Sequence, residues 1–410
     1  MHSKILKNSG YLFSAQVGIK IVAFFYNIFL ARSLGVENFG LYTVALSYFA
    51  LFSAVTDFGI TRYITKEVAL DDRNVPNLLT SVILLGLTLV AVAFAVFSLF
   101  IYNLDSDKMR VALTLIAVIA VIPQSVALTL DAIFIALQKA SVSAVSTVIL
   151  NLTSLILGVF LIKSGFGVFG ALSAVVLAQI ISCLVLGGFL ISQKRLKLSN
   201  VTWKLLKSIL SGSLPYAVLG ILGVFYFKVD SLVLSYLKGS YETGIYGAGY
   251  KFLEAIIILP STVSVTLFPV LSNLSARAYH DAYKLYIKAS MVMLALSVIG
   301  IFIFLVILPS FIKSYLPQYL GSSAVIKILS LSMPFFFVNA VQSTILLSKE
   351  KNLKLLIIIS VLVLVFNVVL NILLIPRFSY IAASWITVAT EAIVTLIFFV
   401  IIRQDIKREQ

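Results

Sequence analysis

The stretch FKVDSLVLSYLKGSYETGIYGAGYKFLE (residues 227–254) places four ionisable side chains inside a very apolar sequence. Its pattern predicts two membrane-spanning helices joined by a short turn, and these helices contain Lys228, Asp230, Lys251 and Glu254. A charged side chain near the centre of a bilayer costs at least about 2.5–3.5 kcal/mol on insertion scales, so such residues normally face a polar interior. The stretch therefore predicts a polar cavity among membrane helices.

The composition of the whole chain extends this interpretation. It is 61% hydrophobic and 11% charged, with a mean hydropathy of +1.10. Apolar runs of about 20 residues recur along its length, and residues 78–100 lack the alternation that a transmembrane barrel strand requires. His2 and His280 lie at or beyond the ends of predicted helices, which argues against a histidine metal site. We therefore expect an all-α polytopic membrane protein without a bound metal.

Apolar segments separated by short loops predict about 12 spans. The N-terminal segment has Lys4 and Lys7 ahead of it, but it is long enough to span the membrane and lacks a small-residue cleavage site, so we expect a retained first helix. The predicted spans cover residues 10–31, 41–64, 78–102, 110–137, 142–162, 168–191, 206–237, 244–271, 286–312, 324–347, 353–375 and 380–402.

Lysine and arginine are unevenly distributed between alternate loops. Most of the 31 basic residues fall on one side if the N-terminus is cytoplasmic, as the positive-inside rule requires. The sequence thus predicts a multi-pass protein of the cytoplasmic membrane with both termini inside. The net charge of +15 then reflects topology and attraction to anionic membrane lipids, and it requires no nucleic-acid partner.

An internal repeat divides the chain into two halves. Residues 34–49 align without a gap on residues 238–253, pairing Gly35 with Gly239, and residues 170–179 align on residues 382–391. Each half has an even number of spans, so the repeat is parallel. We predict an N-terminal lobe of six helices with a basic linker (residues 1–203), a C-terminal lobe of six helices (residues 204–410), and a site between them.

Three features carry a resemblance to a known family. They are the G-x-Y turns at residues 40–42 and 244–246, the run VDSLVLSYLKG (residues 229–239), and the segment FNVVLNILLIPRFSYIAASWITVATE (residues 366–391). Together they resemble Wzx-type oligosaccharide flippases of the multidrug/oligosaccharidyl-lipid/polysaccharide exporter superfamily. The resemblance implies two lobes in a V around a central cavity. It also implies movement of polyprenyl-diphosphate-linked oligosaccharide to the outer leaflet, alongside a glycan polymerase or glycosyltransferases of the same pathway.

Such a substrate would need fixed positive charge, because a diphosphate is a concentrated anion. Three lysines lie within predicted spans, and two arginines at helix ends are added by analogy with the family's cationic cavity. The alternatives are that these side chains extend to the lipid headgroups, or that Lys251 pairs locally with Glu254. The candidate diphosphate contacts are Lys20, Lys228, Lys251, Arg32 and Arg62.

Amide and phenol side chains at helical spacings are candidate contacts for the glycan. Amides within spans also serve as hydrogen bonds between helices, so both interpretations stay open. The candidate sugar contacts are Gln16, Asn27, Tyr246, Tyr250, Asn339 and Asn367.

Carboxylates within the spans raise the question of energy coupling. A carboxylate in a poorly hydrated cavity can exchange a proton or bind sodium, and pairing with a nearby lysine or arginine is the structural alternative. We expect no cofactor, only coupling to a proton or sodium gradient. The candidate coupling residues are Asp57, Asp131, Asp230, Glu254 and Glu391.

An enzymatic function is disfavoured. Asp105 and Asp107 form a D-x-D, the pattern with which glycosyltransferases hold a metal-bound nucleotide sugar, but it falls in a short outer loop. No Walker motif is present. A membrane glycan polymerase or ligase would carry a larger outer loop. A multidrug and toxin extrusion transporter, exporting cations, stays the main alternative, and the three lysines within spans argue for an anionic substrate instead.

Overall fold

The computed structural model of this protein describes residues 2–70, 75–192, 201–277 and 279–409. Within these ranges, side chains are described except at residues 2–17, 20, 77, 104, 276–277, 279, 350 and 408–409. The described ranges contain helices and no strand. Backbone groups in lipid must be satisfied within the protein, and a helix satisfies them within one segment. The predicted all-α polytopic class is confirmed.

Fourteen α-helices follow one another in the described part of the chain. In order they are α1 (His2–Asp57), α2 (Ile60–Leu70), α3 (Val75–Leu104), α4 (Lys108–Ile119), α5 (Val121–Ala136), α6 (Ala140–Leu161), α7 (Gly167–Ser192), α8 (Trp203–Ile256), α9 (Ile258–Arg277), α10 (Tyr279–Phe302), α11 (Leu308–Tyr315), α12 (Ser322–Ser330), α13 (Met333–Leu347) and α14 (Leu353–Glu409).

Seven helical runs are long and apolar enough to cross a membrane, and the bent pair α12 and α13 makes an eighth, counted over the described residues. Several runs are too long to be one span. Helix α8 has 54 residues, which would extend roughly 80 Å if straight, against a hydrocarbon core of about 30 Å. These long runs must therefore contain more than one crossing.

Hydrogen bonds show that the chain reverses inside them. The hydroxyl of Tyr246 lies 3.1 Å from Asp230, 16 residues earlier, whereas a straight helix would separate the two by about 24 Å. The reversal occurs at Gly239, whose backbone is non-helical. The other reversals are at Gly35 in α1, at Gly165–Gly167 between α6 and α7 and at Ser379 in α14, with Ser146–Ser182 and Asn367–Thr390 hydrogen bonds across the last two. Dividing the four runs there gives twelve segments in the described ranges, as the sequence predicted.

The turn residues repeat between the two halves. Gly35 has φ 73° and ψ 174°, and Gly239, its partner in the sequence alignment, has φ 87° and ψ −177°. Gly167 (φ 52°, ψ −133°) and Ser379 (φ 50°, ψ −138°) each lie three residues before the second pair of aligned segments, residues 170–179 and 382–391. Positive φ at these angles strains most residues and favours glycine. The equal conformations agree with the internal repeat.

The chain folds into two compact units. Unit 1 is Met1–Lys228 and unit 2 is Val229–Gln410. The first arm of α8 therefore packs with the helices that precede it. This arm lies very close to the break between α1 and α2, as a Cβ atom added to Gly59 would be only 2.5 Å from the backbone nitrogen of Ala217. The lobe boundary predicted at residues 203 and 204 stays a prediction.

Candidate functional site

A buried carboxylate, Asp230, lies at the centre of a polar cluster in unit 2. It is 5% exposed. Its Oδ1 accepts a hydrogen bond from Nδ2 of Asn371 at 2.8 Å, and its Oδ2 accepts from the hydroxyls of Tyr246 and Thr387, both at 3.1 Å. All three donors are neutral. A buried carboxylate held in this way keeps a formal negative charge for which these donors provide no counterion.

The two reversals in unit 2 bring this cluster together. Asp230 and Tyr246 lie on opposite arms of α8, on either side of Gly239. Asn371 and Thr387 lie on opposite arms of α14, at equal distances in sequence from Ser379. Each hairpin thus supplies two members of the cluster.

One oxygen of the cluster has no hydrogen-bond donor. Asn371 is fully buried, and its Nδ2 also donates to Oδ1 of Asn367 at 2.9 Å. The Oδ1 of Asn371 is buried without a partner among the described residues. An unpaired buried acceptor costs roughly 1–3 kcal/mol, so a bound ion or water is its usual explanation.

The Asp230 carboxylate lies in a cluster that also contains amide oxygens. Asn371 and Thr387 contact the carboxylate through their N–H and O–H donors, and Asn367 and Asn371 each carry an amide oxygen within the cluster. Hard cations take oxygen ligands of this kind. A single carboxylate balances a single positive charge, so the arrangement can hold a monovalent cation or a proton.

A second buried carboxylate lies further along α14. The Oε2 of Glu391 accepts from Nδ2 of Asn339 at 2.6 Å, and Oδ1 of Asn339 accepts from the hydroxyl of Thr395 at 2.7 Å. Glu391 is 4% exposed. Residues four apart lie on the same face of a helix, so Glu391 is one turn from Thr387 of the Asp230 cluster. The two carboxylate networks are neighbours along one helix.

Lys251 and Glu254 form an ion pair. The Nζ of Lys251 lies 2.6 Å from Oε2 of Glu254, and the two side chains are 23% and 30% exposed. This is the local pair that the sequence left open as an alternative. A diphosphate would have to compete with Glu254 for the lysine.

A cavity of about 400 Å³ lies in unit 1, where α1 ends and α2 begins. Asp57 and Arg62 line it together with residues of α5 and of the first arm of α8. The carboxylate of Asp57 accepts from the backbone N–H of Thr61 at 3.2 Å and from the Thr61 hydroxyl, so it caps α2. Phe58 and Gly59, both with positive φ, form the break between the helices.

The remaining candidates are scattered. Arg32 is exposed, and Asn27 donates within its own helix, to the carbonyl of Ala23 at 2.8 Å. Lys228 is half-buried, as is Asp131, which hydrogen-bonds with Ser143. The side chains of Gln16 and Lys20 lie outside those that the structure describes. The roles of these residues stay predictions.

The four remaining sugar candidates are buried in unit 2. Tyr246, Tyr250, Asn339 and Asn367 are all less than 9% exposed. Tyr246, Asn339 and Asn367 hydrogen-bond to the carboxylate networks or to Thr390. In this conformation they join helices to one another, and their role as sugar contacts stays a prediction.

The D-x-D stabilises the turn before α4. Asp105 receives two hydrogen bonds from Arg110, at 2.5 and 2.6 Å, and Asp107 accepts from the first backbone N–H groups of α4. Burial of Asp105 favours its neutral form. Hydrogen bonds from Arg110 and from the backbone of Asp107, with the charge of Arg110, outweigh burial and hold the pKa of Asp105 below its ordinary value.

The sequence patterns did not identify two residues that line the cavity, nor the contact of one amide side chain with Asp230. Gln124 and Tyr216 line the cavity of unit 1, but each is a single polar residue within an apolar stretch. Asn371 is distinguished in the sequence only by its position four residues after Asn367, one of the candidate sugar contacts. The signal available was that pair of asparagines four residues apart in a membrane span. Their link to Asp230 depends on tertiary structure.

Two family models match the chain. The polysaccharide biosynthesis protein model matches residues 5–275, and the MatE model matches residues 215–373. The chain is 24% identical to an uncharacterised membrane protein of Methanocaldococcus jannaschii, over 97% of this chain and 98% of that protein. It is 25% identical to a proposed O-antigen transporter of Shigella flexneri, over 66% of this chain and 67% of that protein.

Solved structures share the fold. The lipid II flippase MurJ in an inward closed conformation matches with a TM-score of 0.72 and 19% identity, covering 96% of this chain and 87% of that one. An inward-facing multidrug resistance MATE family transporter matches with a TM-score of 0.69 and 14% identity, covering 96% and 95%. At these identities the likeness concerns the fold alone.

The protein is therefore a multi-pass membrane transporter, with buried carboxylates in one unit and a cavity of mixed polarity in the other. The family match covers well over half of the chain and agrees with the resemblance in its sequence. The chain belongs to the polysaccharide biosynthesis protein family, within the multidrug/oligosaccharidyl-lipid/polysaccharide exporter superfamily.

Proposed function

We propose that the protein is a flippase that moves polyprenyl-diphosphate-linked oligosaccharide from the inner to the outer leaflet of the cytoplasmic membrane. It would act by alternating access, with both termini inside, and supply a glycan polymerase or glycosyltransferases of the same pathway. The observation that carries the proposal is the Asp230 cluster. Its buried carboxylate and the unpaired amide oxygen of Asn371 form a candidate ion-binding site, and such a site could couple transport to an ion gradient.

The substrate class is supported by relatives and by charge. One relative is named as a proposed O-antigen transporter, and one structural neighbour as a lipid II flippase. Lys228 and Lys251 lie in the helical run Trp203–Ser275, where cations would suit a diphosphate. Lys20, Arg32 and Arg62 complete the proposed set. Lys251 would leave Glu254 when the diphosphate arrives, so substrate binding would rearrange this pair.

Ion binding would supply the driving force, without a cofactor. A ligand shifts a conformational equilibrium only as far as it binds one state better than the other. An ion at Asp230 would act on both hairpins of unit 2, since Asp230 and Tyr246 lie on one and Asn371 and Thr387 on the other. We favour sodium over a proton, because the unpaired amide oxygen of Asn371 in the same cluster could serve as a second ligand. Glu391 and Glu254 are further coupling candidates, and Asp57 and Asp131 are candidates in unit 1.

One observation favours a second candidate function. The MatE model matches residues 215–373, which include most of the Asp230 cluster, and MATE transporters share the fold. Export of organic cations is therefore the alternative. Lys228 and Lys251, which lie in the same helical run as Asp230, favour an anionic substrate instead.

The test is leaflet translocation in proteoliposomes. Undecaprenyl diphosphate carrying a short oligosaccharide is supplied, and its access to an external, membrane-impermeant glycosidase is followed over time. Loss of one charge-assisted contact costs about 1.5–3 kcal/mol, so Lys228→Ala and Lys251→Ala should slow movement roughly ten- to hundredfold. The control is Lys288→Ala, which changes an exposed lysine on α10. Uptake of organic cations without lipid movement would establish the alternative instead.

A further inference from the structure

The cavity of unit 1 has the size and lining of a small-molecule site. Its volume of about 400 Å³ lies within the roughly 300–1,000 Å³ typical of ligand pockets. Its lining includes the polar residues Ser53, Asp57 and Thr61 and the apolar residues Phe49, Leu128 and Val224. A lining of mixed polarity suits a sugar ring, which has hydroxyl groups at its edge and C–H groups on its faces.

An amide side chain without hydrogen-bond partners among the described residues lines this cavity. The side chain of Gln124 lines it and makes no hydrogen bond to any described residue, and its Oε1 is a buried acceptor without a partner. Rotation about its terminal bond would turn either the acceptor or the two N–H donors toward a ligand. A half-buried amide of this kind is stabilised when a ligand hydroxyl satisfies it.

The break between α1 and α2, at Phe58 and Gly59, borders the cavity and has a constrained backbone. Phe58 and Gly59 have φ of 46° and 69°, and a side chain on Gly59 would collide with the backbone of Ser213 and Ala217 on α8. The cap that Asp57 provides to α2 fixes the other end of the break. A binding site built on such fixed elements loses less entropy when the ligand binds.

Two charged side chains line the cavity, Arg62 and the Asp57 carboxylate that caps α2, and Arg62 suits a phosphate group on a sugar. Arg62 lines the cavity and is exposed, so its guanidinium can reach a group outside. Arginine binds phosphate oxygens through paired N–H groups. The cavity thus offers an amide and hydroxyls for a sugar and a cation at its edge.

We propose that this cavity binds the sugar attached directly to the lipid diphosphate, with Gln124 contacting a sugar hydroxyl and Arg62 contacting the diphosphate. This inference rests on the proposed function and adds a specificity site to it. Gln124 then distinguishes a glycosylated carrier lipid from the bare carrier.

Two glycines of α8 offer a matched pair of variants. A Cβ atom on Gly220 or on Gly223 would meet nothing within 4 Å, so neither position is closed to the first atom of a side chain. Gly220 lines the cavity, whereas Gly223 is exposed and is not part of its lining. Gly220→Leu should occupy part of the cavity, and Gly223→Leu is the control.

The experiment compares binding of two probes to purified protein in nanodiscs. One is undecaprenyl diphosphate carrying a single N-acetylhexosamine, and the other is undecaprenyl diphosphate alone. Gln124→Ala should weaken binding of the first probe about three- to tenfold and leave the second unchanged, because one hydrogen bond is lost. Gly220→Leu should weaken the first probe at least as much, and Gly223→Leu should bind both as the wild type does.

Two results overturn the inference. If Gln124→Ala and Gly220→Leu bind the sugar-bearing probe as the wild type does, the cavity is not the sugar site. If the two variants bind both probes equally more weakly than the wild type, the cavity does not distinguish the sugar-bearing lipid from the bare lipid. A wild type that binds neither probe overturns the proposed function as well, so the two failures are distinguishable.

Discussion

Asn371 donates a hydrogen bond of 2.8 Å to Asp230, 141 residues earlier in the chain. The same asparagine leaves its own carbonyl oxygen buried and unpaired. One side chain thus holds the carboxylate in place and carries a buried acceptor that no described residue satisfies. This relationship links two hairpins of unit 2 at a position where a cation would join both.

Sodium should stabilise the wild-type protein through this cluster. A ligand that binds only the folded state at ten times its Kd adds about 1.4 kcal/mol, which would raise Tm by a few degrees. Asn371→Leu removes both amide contacts and should abolish the shift. The measurement is thermal unfolding in detergent with sodium or choline chloride. An equal sodium-dependent rise in the variant would contradict the site.

Removing the partner of Lys251 should strengthen binding of diphosphate. In Glu254→Gln the lysine loses a carboxylate at 2.6 Å and is available to the substrate. The pair is partly exposed and therefore weak, so we expect a gain of only about two- to fivefold in affinity for undecaprenyl diphosphate. Lys251→Ala should reduce that affinity. Weaker binding in Glu254→Gln would show that the glutamate has another role.

Gly158 should not tolerate a side chain. A Cβ atom there would overlap the hydroxyl of Tyr26, which packs against α6. Overpacking of this kind costs about 1–3 kcal/mol, so Gly158→Ala should lower Tm. Gly187→Ala is the control, because a Cβ atom at Gly187 meets nothing within 4 Å. Equal Tm values for the two variants would mean that Tyr26 moves aside freely.

The pair Asp105–Arg110 should stabilise the protein in a pH-dependent way. The pKa of Asp105 is lowered in the folded state, so its contribution is complete above the ordinary aspartate pKa of 3.8 and is lost as pH falls through the lowered value. Asp105→Asn should therefore cost about 1–3 kcal/mol at pH 7 and less at lower pH.

The control for this prediction is Asp281→Asn, which removes an exposed ion pair with Lys284. It should change stability little at any pH. Thermal unfolding at several pH values is the measurement. A cost of Asp105→Asn that is the same at pH 3 and pH 7 would exclude the ionised pair as its cause.

Local sequence patterns predicted the segments and several turns. Apolar runs specified twelve spans, and the alignment of Gly35 with Gly239 identified two turns of equal conformation. Asp230 was recognised because a charge in an apolar run is costly wherever the helix lies. These features depend on local sequence and on the bilayer, so no knowledge of packing was needed.

The partners of Asp230 and the cavity of unit 1 could not be predicted in the same way. Thr387 and Asn371 reach Asp230 only because two hairpins pack together. Gln124 and Arg62 line the same cavity only because α5 packs beside the break between α1 and α2. Such relationships depend on helix rotation and packing, which the spacing of apolar residues leaves open.

The most direct test is translocation of the lipid-linked oligosaccharide under an imposed gradient. Wild type and Asp230→Asn are compared in proteoliposomes with a sodium gradient, with a proton gradient and with neither. The control is Glu242→Gln, which changes a carboxylate that bonds to Ser379 outside the cluster. We predict that the sodium gradient accelerates the wild type and the control several-fold and leaves Asp230→Asn unchanged. Equal acceleration of Asp230→Asn, or no lipid movement by the wild type, would contradict the account.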